Sequence, residues 1–345
     1  MRVAPALLAA GLALGCAELA SAPVAPTEPW LAWQAPLGRE DTLVGRVYDT
    51  EERRFVSPAQ ALARARGSAF VLLGEKHDNP DHHRLQAWLV ASLARAGRRP
   101  AVVFEMIPRD RAGALDAALA AHPDDPDAIA QALDWAHGGW PEFALYRPVF
   151  AAALAERLSI APGDLARPQL GLLRRRGLDV FPPLERARLA LDPPPPDQAR
   201  RAFAAEVREA HCGMAPEAMI DAMIDVQRAR DATLADALLE SGGSDGGVLI
   251  AGAGHVRRDR GAPLYLARRA PEQLVLALAF LEVPREPAET GSSIERAARL
   301  GSEFDLVWFT PRVDDEDPCE RFQHELEKLR APKPAAHRQS RAPSS

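Results

Sequence analysis

The chain has 345 residues, 47% of them hydrophobic and 26% charged, and its mean hydropathy is −0.20. This composition supports a full buried core and excludes both a mainly disordered protein and a polytopic membrane protein. The net charge of −6 and the lack of a dense basic run exclude nucleic acid as an expected partner. The cysteines, Cys16, Cys212 and Cys319, are too few and too scattered to predict a disulfide framework, and they lack the C-x-x-C spacing of a structural zinc site.

The N-terminus predicts an export signal. Arg2 precedes an apolar run from Val3 to Leu14, and Gly15 and Cys16 follow it. A run of about 12 apolar residues is too short for a membrane span, which needs about 20. The pattern is typical of a signal peptide that ends at a lipoprotein cleavage site, so Cys16 is the predicted lipidated residue.

This interpretation assigns residues 1–16 to the leader and residues 17–40 to a tether. The predicted location is the cell envelope, on the periplasmic side of the outer membrane, with the lipid as the membrane anchor. Cleavage after Ala20 or Ala22 is the alternative, and it predicts a soluble periplasmic protein.

From Asp41 onward, short apolar runs alternate with helical patterns, which indicates an α/β fold. The continuous apolar runs predict a mainly parallel central sheet flanked by helices. The predicted strands are Leu43–Val47, Ala69–Leu73, Ala101–Phe104, Asp179–Phe181, Val248–Ala251, Leu274–Leu281 and Asp305–Phe309. The predicted helices are His82–Ala96, Arg109–Ala121, Asp127–Ala136, Phe150–Leu158, Asp197–Glu209 and Pro216–Ser241.

The α/β domain is expected to span residues 41–310, with a helical insertion lobe at roughly 109–241. Four consecutive prolines within Asp192–Asp197 cannot continue a helix and mark a boundary inside that lobe. Residues 311–345 form a C-terminal extension that is expected to be mostly disordered, because its latter part has no apolar periodicity.

Two strands run directly into the same motif, G-x-x-H. One ends in Gly74-Glu75-Lys76-His77 and the other in Gly252-Ala253-Gly254-His255, so the insertion lobe lies between two G-x-x-H halves. A third strand ends in Glu105. Ligands of open α/β sheets bind at the carboxyl ends of the strands, so His77, Glu105 and His255 are expected to converge there.

Two histidines and a carboxylate suit a divalent metal such as Zn or Mn. His77, His255 and Glu105 are the predicted metal ligands, and Glu75 or Glu105 is the candidate base of a metal-dependent hydrolase. The alternative is that each histidine only forms hydrogen bonds within its own loop.

The helix after the first motif has Asn79 as its predicted N-cap and Pro80 at its first position. His82 shares the inward stripe of this helix, whereas His83 is expected to point elsewhere. His82 therefore either reaches the site or packs beside Trp88.

Two other segments are candidates for a haem pocket; packing alone is the alternative for the first, and a copper site is an alternative for the second. Trp140 and Tyr146 belong to an aromatic, proline-punctuated segment predicted as a loop, and tyrosine is a known haem-iron ligand. His211 precedes Cys212 and a long helix that contains Arg230 and Asp231. Those last two are candidate pocket residues, with a structural ion pair between them as the alternative.

These motifs together resemble the ChaN-like family, a haem-binding, iron-regulated lipoprotein branch of the Tiki superfamily. The resemblance covers approximately residues 43–309 and departs from the family pattern at residues 161–167. The motifs that carry it are Gly74–His77 with Asp78–Pro80 and His82–His83, Phe104–Met106, Trp140–Pro141, Tyr146–Pro148, His211–Met214, Gln227–Asp231 and Gly252–Arg257.

The resemblance implies a haem-binding envelope lipoprotein of iron acquisition, with Tyr146 or His211 as the axial ligand and Trp140 beside the haem. It also implies the hydrolase alternative, because the superfamily includes erythromycin esterases and Tiki proteases, whose G-x-x-H pair and Glu match His77, His255 and Glu105. A homodimer is a further expectation, since haem is flat and a second copy can complete a shallow site.

Overall fold

The computed structural model describes residues 28–285, 292–317 and 319–320. The predicted leader, Cys16 and most of the C-terminal extension lie outside these residues. Within the described ranges, no helix is both long and apolar enough to cross a membrane. The strands are β1 (Val47–Asp49), β2 (Arg54–Val56), β3 (Phe70–Glu75), β4 (Ala101–Pro108), β5 (Ile160–Asp164), β6 (Gly247–Gly252), β7 (Val275–Glu282) and β8 (Leu306–Thr310).

These strands form one sheet in the order β2-β1-β8-β7-β3-β6-β4-β5. β1 pairs antiparallel with β2 and β8, and the other neighbours are parallel. The prediction of a mainly parallel sheet is therefore confirmed. The central strand β6 pairs in parallel with both β3 and β4, so the three strands that carry the predicted site end at one edge of the sheet.

Helices cover both faces of the sheet. They are α1 (Pro58–Gly67), α2 (Pro80–Arg95), α3 (Ala112–Ala121), α4 (Pro126–Ala132), α5 (Phe143–Ala155), α6 (Arg167–Arg176), α7 (Pro183–Arg188), α8 (Asp197–Ala210), α9 (Glu217–Ser241), α10 (Ala262–Arg269) and α11 (Ser293–Gly301). The predicted start of α2 is confirmed, because the Asn79 side chain accepts a hydrogen bond from the Asp81 N–H and Pro80 is the first helical residue.

Alternate residues of the central strands face opposite sides. Val71 and Leu73 belong to one buried cluster, with residues of α1, α2, α3 and α5, whereas Leu72 belongs to a second, with residues of α6, α9 and α10. Strands buried on both faces explain the continuous apolar runs in the sequence. A small third cluster lies apart from both, between α8 and α9.

The region predicted as a helical insertion also contains β5. This edge strand reads Ile-Ala-Pro-Gly-Asp and tolerates Pro162 because it pairs on one side only. The strand predicted at Asp179–Phe181 is wrong: Gly177–Val180 is a 3-10 helix. The predicted aromatic loop is also wrong in part, since α5 begins at Phe143 and contains Tyr146.

A disulfide joins Cys212 to Cys319 across a sequence separation of 107 residues. The cysteine spacing did not predict this bond, since two distant cysteines carry no pairing signal of their own. It connects the turn after α8 to the segment that follows β8.

Candidate functional site

The carboxyl ends of β3, β4 and β6 bring the predicted site residues together. Nε2 of His255 lies 3.3 Å from Oε1 of Glu105. Oε2 of Glu105 accepts a hydrogen bond from the Gly252 N–H at 2.7 Å. A side-chain carbon at Gly252 would lie 3.0 Å from His77 Nε2 and 3.7 Å from Glu105 Oε2, so His77 and Glu105 both lie beside this glycine. The expected convergence is confirmed.

Glu105 is buried and paired with Arg230. Nη2 of Arg230 lies 2.7 Å from Glu105 Oε1 and 2.6 Å from Asp164 Oδ2. Burial opposes the charge of Glu105, but His255 and Arg230 outweigh it and hold the pKa of this carboxyl well below its usual value. Asp164, at the end of β5, was missed by sequence reasoning because it follows a segment that does not read as a strand.

His255 lies between two carboxylates. Its Nδ1 is 2.6 Å from Oδ1 of Asp231, and its Nε2 faces Glu105. Burial lowers the pKa of His255, but Glu105 and Asp231 outweigh it and raise that pKa to about 9. The alternative of an ion pair between Arg230 and Asp231 is wrong; these adjacent residues of α9 have different partners in the same site.

Glu75 organises the other half of the site. Its Oε1 accepts a hydrogen bond from the Tyr146 hydroxyl at 3.0 Å and lies 2.9 Å from His77 Nδ1. Its Oε2 lies 3.0 Å from His83 Nδ1. Burial opposes ionisation of Glu75, but the two histidines outweigh it and lower the pKa of Glu75 far below its usual range. Burial likewise opposes protonation of His77 and His83, but Glu75 reverses this and raises the pKa of both.

For the two histidines in the first turn of α2, the expectation that His83 points elsewhere is wrong, and of the two alternatives for His82 the structure excludes the one in which it reaches the site. His83 is the one that reaches the site, where its ring lies 4.1 Å from that of Tyr146. His82 is buried away from it: its Nδ1 accepts from the Lys76 N–H and its Nε2 lies 2.8 Å from Thr310 Oγ1. Burial lowers the pKa of His82 to about 3, so this ring stays neutral.

His77 is the open member of this cluster, with 35% of its side chain exposed. The Trp140 ring packs edge-on at 5.1 Å from the His77 ring. Trp140, Glu105 and Arg230 also line a cavity of about 490 Å3 beside the strand ends. Tyr146, in contrast, is fully buried, and burial together with the Glu75 charge raises the pKa of its phenol.

The predicted metal ligands do not fit a metal ion in this arrangement. Glu105 is occupied by Arg230, by the Gly252 N–H and by His255, and His255 is occupied by Asp231. Among the residues that the structure describes, no three His, Cys, Asp or Glu side chains are placed to hold a metal ion. The arrangement is instead a buried network of compensated charges around one open imidazole.

A second cavity, of about 790 Å3, lies between α8 and α9. Its walls are largely apolar, and His211 stands among them; the lining includes Phe203, Val207, His211, Met219, Met223, Val226 and Gln227. Gln227 connects this cavity to the strand-end site, since its Nε2 lies 2.9 Å from His255 Nδ1. His211 and Tyr146 therefore belong to different parts of the molecule.

The fold and site define an α/β protein with a histidine and carboxylate network at its strand ends and a separate apolar cavity in its helical lobe. A family model described as "Haem-binding uptake, Tiki superfamily, ChaN" matches residues 61–266, and the chain belongs to this family. No curated protein matches the chain.

Among solved structures, one described as cofacial heme binding to ChaN of Campylobacter jejuni is similar over 79% of this chain and 98% of that chain, with 17% identity and a TM-score of 0.58. An erythromycin esterase mutant in its open conformation covers 81% of this chain and 86% of its own, with 14% identity and a TM-score of 0.40. The first of these likenesses shows the fold.

Proposed function

We propose that this protein binds haem and serves haem or iron acquisition in the cell envelope, with the cavity between α8 and α9 as the haem site. Family membership supports haem as the ligand. The observation that carries the proposal is the apolar cavity of about 790 Å3 with His211 in its wall. Small-molecule and cofactor pockets typically have volumes of about 300–1,000 Å3 and mostly apolar walls.

His211 fits the role of axial ligand better than Tyr146 does. The Nδ1 atom of His211 lies 2.8 Å from the carbonyl oxygen of Val207, and donation to this acceptor selects the tautomer with its lone pair on Nε2. Tyr146 is fully buried and donates its hydroxyl proton to Glu75, which disfavours the phenolate that iron requires. Haem, when bound, would supply an iron for His211 to ligate and two propionates.

The cavity also offers positive charge for those propionates. Arg174 and Arg260 line it. Arg174 is exposed at the rim, whereas Arg260 is paired with Glu206 at 2.6 Å and stacks over Phe203 at 4.2 Å. Arg174 is therefore the expected propionate partner, because guanidinium groups recognise carboxylates in bidentate fashion.

A hemin titration of the mature domain tests this site. We expect a saturable Soret shift in the wild type and its loss in Ala222→Trp, because Ala222 lines the cavity and an indole there fills it. Ala205→Trp is the matched control, since Ala205 lies on the exposed face of α8. Absence of a saturable shift in the wild type excludes haem as the ligand.

The proposed location is the periplasmic side of the outer membrane, with Cys16 as the lipid attachment site. The Cys212–Cys319 bond supports export, because disulfides persist in oxidising compartments and are rare in the cytosol. Labelling with radioactive palmitate that disappears in Cys16→Ser supports the anchor. Unlabelled wild-type protein in the periplasmic fraction supports the soluble alternative instead.

A homodimer is proposed with the haem site at its interface. Met214 and Met219 are 44% and 42% exposed. The surface at the α8–α9 turn and the start of α9 is therefore partly apolar. Light scattering with and without hemin tests this: a monomer in both states contradicts haem-linked dimerisation.

The alternative function is a metal-dependent hydrolase of the esterase or peptidase type. Its support is the convergence of His77, Glu105 and His255 at the strand ends, where strongly perturbed pKa values mark candidate functional groups. For Glu105 to bind a metal ion at this site, its ion pair with Arg230 must break. Metal analysis of protein purified without chelator decides the question: stoichiometric Zn or Mn that is lost in His77→Ala supports the hydrolase, and metal-free wild type counts against it.

A further inference from the structure

His211 directly precedes Cys212, one of the two cysteines of the disulfide. Cys212 follows it in the turn between α8 and α9, and both Cys212 and Gly213 have left-handed backbone, with φ of 57° and 70°. Such a conformation is unfavourable for a cysteine and persists only where the surroundings enforce it. The turn that presents His211 is closed by backbone hydrogen bonds from Gly213 to Arg208 and from Met214 to His211, and by the disulfide at Cys212.

The packing of α8 on α9 is small in extent. Its fully buried part is a cluster separate from the two large cores, formed by Ala204, Val207, Ile220 and Ile224, with Phe203, Ala215 and Met223 packed against it and partly buried. Two ion pairs also join the helices, Arg208 with Glu217 and Arg200 with Asp221; their side chains are substantially exposed, and such pairs contribute little stability. Glu206 of α8 also pairs with Arg260, which lies outside the two helices. Segments with few buried contacts open at low free energy.

The other end of the disulfide is connected to the sheet. Before Cys319, the chain is anchored by two backbone hydrogen bonds between Arg312 and Leu37, at 2.8 and 3.1 Å. The Val313 N–H donates to Glu282, the last residue of β7, at 3.0 Å. The bond between Cys212 and Cys319 is thus a covalent connection between the His211 turn and the segment that leaves the sheet after Val313.

We propose that the Cys212–Cys319 disulfide is a redox latch on the haem cavity, an inference that rests on the proposed function. In the oxidised protein the latch holds α8 and the His211 turn in place for the ligand. A dithiol reductant opens it: a thiolate of the reductant attacks one cysteine sulfur, the S–S bond breaks, and the second thiol of the reductant closes its own disulfide. Two electrons and two protons pass to Cys212 and Cys319, and the lobe is released.

The haem readout compares wild type with Cys319→Ser, which removes the latch without altering Cys212 or His211. Ala205→Ser is the control, because Ala205 lies on the exposed face of α8, away from the cavity and the disulfide. We expect hemin to transfer from Cys319→Ser to excess apomyoglobin about tenfold faster than from wild type. The double variant Cys212→Ser with Cys319→Ser is expected to transfer hemin at the same rate as Cys319→Ser. This result shows that the free Cys212 thiol does not itself bind or release the haem. Equal transfer rates in wild type and Cys319→Ser overturn the latch.

A second readout needs no haem. Amide hydrogen exchange across α8 and the turn to Met214 is expected to be faster in Cys319→Ser than in wild type, with the amides of β3 and β6 unchanged as a check that the body is folded. If wild type takes up no hemin, the proposed function fails while exchange still decides on the latch. If wild type binds hemin but exchange in α8 is unchanged, the latch fails and the function stands.

Discussion

Oδ1 of Asp231 lies 2.6 Å from Nδ1 of His255, and at most 6% of either side chain is exposed. The other nitrogen of the same ring faces Glu105, so one imidazolium ring connects α9 to the ends of β4 and β6. A buried positive charge of this kind depends on its carboxylate partners, because an unpaired charge in the protein interior is costly.

Asp231→Asn is expected to lower the free energy of unfolding by about 2–4 kcal/mol, since it leaves the His255 imidazolium with one carboxylate fewer. Urea denaturation measures the loss. Asp221→Asn is the control on the same helix; its ion pair with Arg200 is about half exposed, and we expect a change below about 1 kcal/mol. Equal losses in the two variants contradict a structural role for the buried pair.

The pKa of His255 also predicts a pH dependence of stability. Folding raises this pKa from the usual value near 6.5 to about 9, so the folded state binds a proton more tightly than the unfolded chain does. The stabilisation is complete below pH 6.5 and is lost as the pH rises through about 9. We expect the free energy of unfolding to fall by about 1–3 kcal/mol over this window. In a His255→Gln variant, this fall in the free energy of unfolding with pH is expected to disappear. A free energy of unfolding that stays constant from pH 6.5 to 9 in wild type refutes the raised pKa of His255.

Gly252 and Gly254 form a matched pair for testing the position of His77. A methyl group on Gly252 would lie 3.0 Å from His77 Nε2, whereas nothing lies within 4 Å of the corresponding position on Gly254. Gly252→Ala is therefore expected to displace the His77 ring and shift its NMR titration curve. Gly254→Ala leaves the curve unchanged. If the His77 titration curves of Gly252→Ala and Gly254→Ala are identical, the His77 ring does not lie against Gly252.

The sequence predicts the strand-end site well because its signals are local. A buried apolar run followed by Gly74 or Gly252 marks the end of a strand, and parallel pairing then brings His77, Glu105 and His255 to one edge. The direction of His83 was predicted wrongly, and that of His82 was left open, because helical periodicity gives only a coarse direction within the first turn and the packing of α2 over the strand ends decides it.

Other features depend on contacts between distant segments. Asp164 joins the site only through Arg230, which is 66 residues away in the sequence. The partner of Cys212 is fixed by the path of the chain after β8, which no local pattern reveals. The short strand that carries Asp164 contains Pro162 and Gly163, and pairing with β4 overrides their poor strand propensity.

The central claim is that His211, in the cavity between α8 and α9, binds the haem iron. Hemin titration of His211→Ala measures it most directly, beside His137→Ala, which removes an exposed histidine of the strand-end cavity, and Tyr146→Phe. We expect His211→Ala to weaken hemin affinity about 10–100-fold and to move the Soret maximum, while the other two variants match wild type. A His211→Ala spectrum and affinity equal to wild type, together with a changed spectrum in Tyr146→Phe, would contradict it and place the iron at Tyr146.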